Sequence, residues 1–251
     1  MTKTKLILIF IIVLICQSAI AQTKKAVPTA DVVNEFYDAI FANNNTKVKE
    51  LLAGKFPASY EPQNKITPLQ AAIWQNNITI VKWLVEGGAN INSKVKSAVE
   101  EAAEKGELAI LEYLISKGGD VKNNEAFSDA GSSNHYDCAK FLLLKGANPD
   151  SGDVRGKLRV FEVAVSKSDY EVLTALKLTP EELNNNNCEG ETALIIAVKN
   201  NNVEMVKYLL KRGVNKNKPE TFDCGDDISY GKKPIDIAKK KGYQDILKLL
   251  K

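Results

Sequence analysis

Alanine recurs at one fixed distance ahead of six apolar segments along the chain, and that recurrence limits the folds open to it. Seven segments begin, at their first apolar or near-apolar residue, with Thr46, Ile78, Leu108, Tyr136, Tyr170, Val203 and Gln244, at steps of 32, 30, 28, 34, 33 and 41 residues. Six residues before the last six of these stand Ala72, Ala102, Ala130, Ala164, Ala197 and Ala238, while the first copy offers Ile40. A unit of about 33 residues repeated this often marks a stacked-repeat architecture. A small residue at one site per unit has a packing cause. Neighbouring helical hairpins approach closely there, and a larger side chain would hold them apart.

Each copy carries its own punctuation. Thr67-Pro68 and Thr192-Ala193 precede first helices, where threonine caps free amides and proline at the first turn loses no needed bond. Gly106 and Gly242, with Asn76, Asn134 and Asn201 as equivalents, break the chain between helices because they tolerate left-handed backbone angles. Second helices read VKWLV, LEYLI, AKFLLL and VKYLL, apolar at helical spacing, and stop at Gly88, Gly118, Gly146 and Gly213.

These segments resemble the ankyrin repeat family. TPLQAA is similar to its helix-opening motif; VEGGANIN, SKGGDVK, LKGANPD and KRGVNKN are similar to its repeat ends; NCEGETAL is similar to the turn between repeats. The likeness spans about residues 30–251 and is strongest over 64–122 and 187–217. Copies four and five depart from the pattern: EAFSDAGSS and RVFEVAVSK lack the Thr-Pro pair, and copy five ends in LTPEELNN without glycine. The expected fold is an all-α ankyrin-repeat solenoid of about seven helix-turn-helix units, some with short β-hairpin finger loops. The units fall at 31–62, 63–92, 93–122, 123–154, 155–186, 187–217 and 218–251, with an insertion at 216–232. Units one and seven read as caps, with Lys47, Lys49 and Glu50 in the first and Lys239–Lys241 and Lys248 facing outward in the last.

The start of the chain reads as a cleaved export signal. Lys3 and Lys5 precede the apolar run Leu6–Ile15, and Ala19-Ile20-Ala21 supplies small residues before Gln22. Ten apolar residues are too few for a membrane span, which takes about 20, and the bulky Ile15 argues against a lipid-modified Cys16. Residues 1–21 are therefore expected to be removed and 22–29 to be a disordered linker. Loss of Lys3 and Lys5 takes the formal charge from +3 to +1, which leaves no footprint for nucleic acid. The mature chain is expected to be periplasmic or secreted, without a stable membrane span, and monomeric.

Cys138, Cys188 and Cys224 survive cleavage in a compartment that oxidises thiols. Cys188 and Cys224 fall in finger loops of consecutive repeats, so a Cys188–Cys224 disulfide is expected; two free thiols, or a metal pair with Asp223, Asp226 and Asp227, are the alternatives. The single histidine, His135, lies three residues from Cys138, but the alignment puts His135 in an inter-helix turn and Cys138 at a core position. No phosphate-binding, nucleophile-elbow or metalloprotease motif occurs. Neither catalytic residues nor a cofactor nor a metal are expected.

Candidate contact residues come from columns. In a stack of this kind the first helices line a concave face. Two residues before the alanine stand Asp38, Gln70, Glu100, Ser128, Glu162, Ile195 and Asp236; two residues after it stand Ala42, Trp74, Glu104, Ser132, Ser166, Lys199 and Lys240. Gln70, Trp74, Glu100, Glu104, Glu162 and Lys199 are the expected partner-binding residues, with Trp74 as the one aromatic of the exposed column. Trp83, Tyr113, Phe141 and Tyr208 share a second-helix column and are expected to pack between repeats. The function implied is a noncatalytic scaffold for an unidentified protein partner. An immunity or inhibitor protein against a toxin or enzyme is one alternative, and an enzyme built on Glu100, Glu101 and Glu104 another.

Overall fold

The computed structural model describes residues 28–63, 65–94, 96–221 and 231–251. Helices pair along the chain: α1 (Ala30–Phe41) with α2 (Asn45–Ala53), α3 (Pro68–Trp74) with α4 (Ile78–Glu86), and α5 (Ala98–Lys105) with α6 (Leu108–Ser116). Then come α7 (Ala126–Ser132) with α8 (Tyr136–Leu144) and α9 (Val154–Lys167) with α10 (Tyr170–Ala175), followed by the one-turn α11 (Pro180–Leu183). The last pairs are α12 (Ala193–Lys199) with α13 (Val203–Lys211) and α14 (Pro234–Lys241) with α15 (Gln244–Leu250). Each first helix packs on the first helix of the next pair. Every apolar stripe is thus covered by a neighbouring copy, which is how short helices become stable. No described helix is long and apolar enough to cross a membrane.

Second helices begin at Ile78, Leu108, Tyr136, Tyr170, Val203 and Gln244, each at its predicted anchor, but α2 begins at Asn45 rather than Thr46. The turn decides the register. Asn43, Asn76, Gly106, Asn134, Ser168, Asn201 and Gly242 all take positive φ, between +50° and +76°. In the last six copies the amide just after this left-handed residue, five past the alanine, closes back on the alanine carbonyl: Asn77 on Ala72, Glu107 on Ala102, His135 on Ala130, Asp169 on Ala164, Asn202 on Ala197 and Tyr243 on Ala238. In the first copy Asn44 closes on Ala39 at 2.9 Å. The column member there is Ala39, not Ile40. The run Asn43-Asn44-Asn45 offered three candidates for the left-handed turn, and the alignment took the wrong one. With that correction all seven copies carry a buried alanine. A leucine column follows six residues after each helix start, at Leu51, Leu84, Leu114, Leu142, Leu176, Leu209 and Leu250.

The first unit behaves as an end. Where later copies place Ile80, Ile110 or Met205 in the core, α2 has Lys47, which pairs with Glu35 of α1 at 2.7 Å. Among the described residues no helix pair packs on that side, so no apolar side chain is needed at this position. The two caps expected from the sequence are in place, Thr67 in a reciprocal capping box with Gln70 and Thr192 accepting the amide of Ile195, and Ser97 with Glu100 and Thr179 with Glu182 add two further boxes.

Among the described residues there is no strand; an isolated antiparallel bridge between Asn186 and Thr192 makes the one finger hairpin. The Asn187 side chain shapes it by accepting the amides of Glu189 and Glu191 at 3.0 and 2.8 Å. Thr221 donates its amide to Gly190 at 2.9 Å, so the stretch leading into repeat seven lies against the finger of repeat six. Cys188, on that finger, is disulfide-bonded. Cys224, its expected partner, and the acidic residues Asp223, Asp226 and Asp227 lie outside the described residues, as do the proposed signal and most of the linker.

Repeats four and five hold the departures. The first helix of repeat five, α9, runs 14 residues, twice the length of α7. Gly131 of α7 and Gly156 of α9 pack backbone to backbone, leaving no room for a Cβ on either. Beside them Lys157 is 2% exposed and sits between Asp150 at 2.6 Å and Glu182 at 2.8 Å. Burial disfavours its ammonium, yet the two carboxylates outweigh that and hold its pKa above the ordinary lysine value.

Candidate functional site

The column two residues before the alanine turns out to join repeats. In the corrected register it begins with Tyr37, whose hydroxyl donates to the carbonyl of Ile66 in repeat two. Gln70 Nε2 donates to the carbonyl of Lys96 at 3.3 Å, Glu100 accepts the amide of Glu125 at 3.1 Å, and Ser128 donates to the carbonyl of Asp153 at 2.8 Å. Each side chain reaches the backbone just ahead of the next first helix. The sequence hides this ladder because its bonds go to backbone groups about 25 to 29 residues away. Gln70 and Glu100 therefore spend most of their bonding capacity inside the stack. Glu162, the next member, makes no such backbone bond among the described residues. It is half-buried and faces Arg159 at 3.8 Å. Burial pushes its carboxyl up to about 7, with Glu189 adding to the rise and Arg159 and Asn187 opposing it.

The column two residues after the alanine is the open one. Its first member is Phe41, not Ala42, so Trp74 is not its lone aromatic. Both rings are 42% exposed. Trp74 is also held: its indole N–H donates to Glu101, a buried carboxylate of repeat three, and Lys105 lies over the ring at 5.2 Å. Tyr37 packs against Phe41 with ring centroids 6.3 Å apart. A large side chain fixed in this way presents its outer face at little entropic cost.

Carboxylates gather beyond Trp74. Lys96 bridges Glu101 at 3.7 Å and Glu104, and its ammonium holds the Glu104 carboxyl below the ordinary range. Lys199 pairs with Glu191 and, across repeats, with Glu220. Two adjoining clefts of about 570 and 610 Å³ share Arg159, Glu162 and Asn187; Ser132, Leu158 and Cys188 line the larger one.

On the opposite, second-helix side, Trp83, Tyr113, Phe141 and Tyr208 are half-buried against the core. Lys117, Lys145 and Arg212 cover the rings of Tyr113, Phe141 and Tyr208 at 5.6, 5.5 and 5.3 Å. Cys138 is buried, and desolvation pushes its thiol up to about 11, which leaves it protonated and unreactive near neutrality. His135 sits in its turn against Gly106. Among the described residues no group of three or more His, Cys, Asp or Glu side chains is arranged to hold a metal ion.

Hairpins stacked through a small-residue column, with first helices and loops left accessible, define a helical-repeat interaction fold. Sequence profiles of that class match: ankyrin repeats in three copies over residues 161–251, and single ankyrin repeats over 64–96 and 129–154. Together these cover more than half of the chain, and the chain belongs to the ankyrin repeat family. Similar proteins include alpha-latrocrustotoxin-Lt1a of Latrodectus tredecimguttatus, 30% identical over 145 residues, 54% of this chain and 10% of the toxin. L-asparaginase of Dirofilaria immitis is 26% identical over 68% of this chain and 29% of the enzyme. The nuclear factor NF-kappa-B p105 subunit of Gallus gallus is 24% identical over 72% of this chain and 21% of that protein. The chain thus spans under a third of the length of each of these relatives. The crystal structure of the human ASB11 ankyrin repeat domain superposes with a TM-score of 0.55 at 19% identity, covering 85% of this chain and 96% of that one. That likeness establishes the fold alone. Ankyrin repeats are generally protein–protein interaction modules, and the fold is typically non-enzymatic.

Proposed function

We propose that this chain is an exported, noncatalytic scaffold that takes a protein partner on its first-helix face and finger loops. The observation that carries the reading is Trp74, half exposed on that face while pinned by Glu101 and Lys105, with Phe41 in the same column one repeat earlier. Tryptophan in such a setting is the residue type most often found at binding hot spots. Export is supported by the composition of residues 1–21 and by the disulfide at Cys188, a bond that persists in oxidising compartments.

Glu100, Glu101 and Glu104, the carboxylates of the enzymatic alternative, do not favour it. Glu101 is buried and bonded to Trp74, Glu100 is engaged in its capping box and with Glu125, and Glu104 is held ionised by Lys96. A general acid needs a carboxyl raised toward the working pH and open to substrate. The test is affinity capture from the exported fraction with wild-type, Trp74→Ala and Phe41→Ala chains. The reading expects a specific partner lost from both variants while each keeps a cooperative unfolding transition. Retention of that partner by both would refute it.

A further inference from the structure

The excess of negative charge beside Trp74 points to what kind of partner fits. Glu100, Glu101, Glu104, Glu125 and Asp129 cluster on the faces of repeats three and four, with Lys96 and Lys105 as the cations acting on them. Four of these carboxylates lie next to groups that occupy them or face open solvent: Glu100 in its capping box, Glu101 with Trp74, Glu104 with Lys96, and Glu125 exposed. Asp129 differs. It is half-buried and makes no side-chain hydrogen bond or ion pair among the described residues, while the nearby Lys96 is committed to Glu101 and Glu104. The path from Trp74 through Glu101 and Lys96 to Asp129 is continuous. An apolar anchor and a carboxylate short of a counter-charge therefore lie along one linked path on this face.

We propose that this stretch of the first-helix face receives a basic polypeptide segment of the partner, with apolar side chains on Phe41 and Trp74 and an arginine or lysine opposite Asp129. The inference rests on the function proposed above and adds the chemistry of the partner. Opposite charge steers such an encounter and fixes its register, and a guanidinium also stacks well on an indole. The site has a built-in reporter. Burial lifts the Asp129 carboxyl to about 6, Glu100, Glu104 and Glu125 add to the rise, and Lys96 opposes it. A bound cation favours the ionised form, so binding releases protons where Asp129 is partly protonated, and affinity falls as pH drops through about 6.

The experiment is calorimetric titration of the full mature chain with a synthetic peptide of alternating arginine and leucine, and with its glutamate–leucine counterpart, at pH 7.5 and 5. The arginine peptide is expected to bind at least about tenfold tighter than the glutamate peptide. Its affinity should fall several-fold between the two pH values, and Asp129→Asn should abolish most of that fall. Trp74→Ala should weaken binding about tenfold at both pH values. Equal or tighter binding of the glutamate peptide overturns the charge assignment, and if Trp74→Ala weakens that peptide the face itself still stands. Arginine-peptide affinity unchanged by both variants overturns the assignment as well, because it reports attraction to charge with no seat on this face.

Discussion

Repeats two and three reach the same stacked arrangement as repeats four and five by different means. In the first pair, Ala72 and Ala102 space the helices and capping boxes at Thr67 and Ser97 start them. In the second pair the threonine–proline opening is missing. There Gly131 and Gly156 bring two helix backbones into direct contact, α9 gains an extra length at its start, and Lys157 ties the ends of two repeats together from a buried position. Divergence from the repeat pattern here marks a tighter junction, not a weaker one. It also leaves the surfaces unlike. The early repeats offer aromatic rings beside carboxylates, whereas the middle offers clefts around Arg159 and Glu162.

The sharpest way to break this contrast is at the glycine contact. Gly156→Ala places a methyl against the backbone of Ser128, which has no rotamer to give way. A loss of about 3 kcal/mol in urea unfolding is expected, at the upper end for overpacking. Gly54→Ala, whose Cβ would meet its nearest neighbours at an ordinary 3.4 Å, should change stability by less than about 0.5 kcal/mol. Equal effects at the two sites would remove the case for a special junction.

Lys157→Met comes next. The variant leaves Glu182 partly buried without its partner while Asp150 remains exposed to water, so about 2 kcal/mol is expected, below the range for a pair buried on both sides. The pH dependence gives a second handle. The folded-state pKa of Lys157 is raised above 10.5. Its contribution is therefore full below that value and fades as pH climbs through the higher folded-state pKa. Wild-type stability should drop more steeply than the variant's above pH 10.5, read as urea midpoints across that range.

The smallest effect belongs to the early repeats. Trp74→Phe keeps an aromatic surface but removes the N–H that Glu101 accepts, for a cost of about 1 kcal/mol. A change several times larger would make Trp74 a core residue and weaken its standing as a binding anchor.

Most of the architecture could be read from the chain because its signals are local. A left-handed turn two residues before each second helix, a glycine after it and an alanine six residues ahead all lie within one unit. The first copy is ambiguous for a local reason too, since three consecutive asparagines suit the same turn, and a shift of one there puts Ala42 in the column where Phe41 stands. The site was less legible. Gln70 and Glu100 look like free polar side chains until their bonds to the following repeat are seen, and Lys157 reads as one more solvated lysine because Glu182 lies 25 residues away. Asp129 carried no sequence signal, for three of the four charges acting on it, Lys96, Glu100 and Glu104, belong to the preceding repeat.

The account stands on one column of buried alanines that sets the register of all seven repeats and therefore decides which side chains face a partner. Urea unfolding of Ala39→Leu beside Ala42→Leu tests it most directly. Ala39 is buried in the column and Ala42 is exposed at the end of α1. Ala39→Leu is predicted to lose about 2 kcal/mol by overpacking the junction with repeat two, and Ala42→Leu to stay within about 0.5 kcal/mol of wild type. The reverse order, or two equal losses, would contradict the register and the face derived from it.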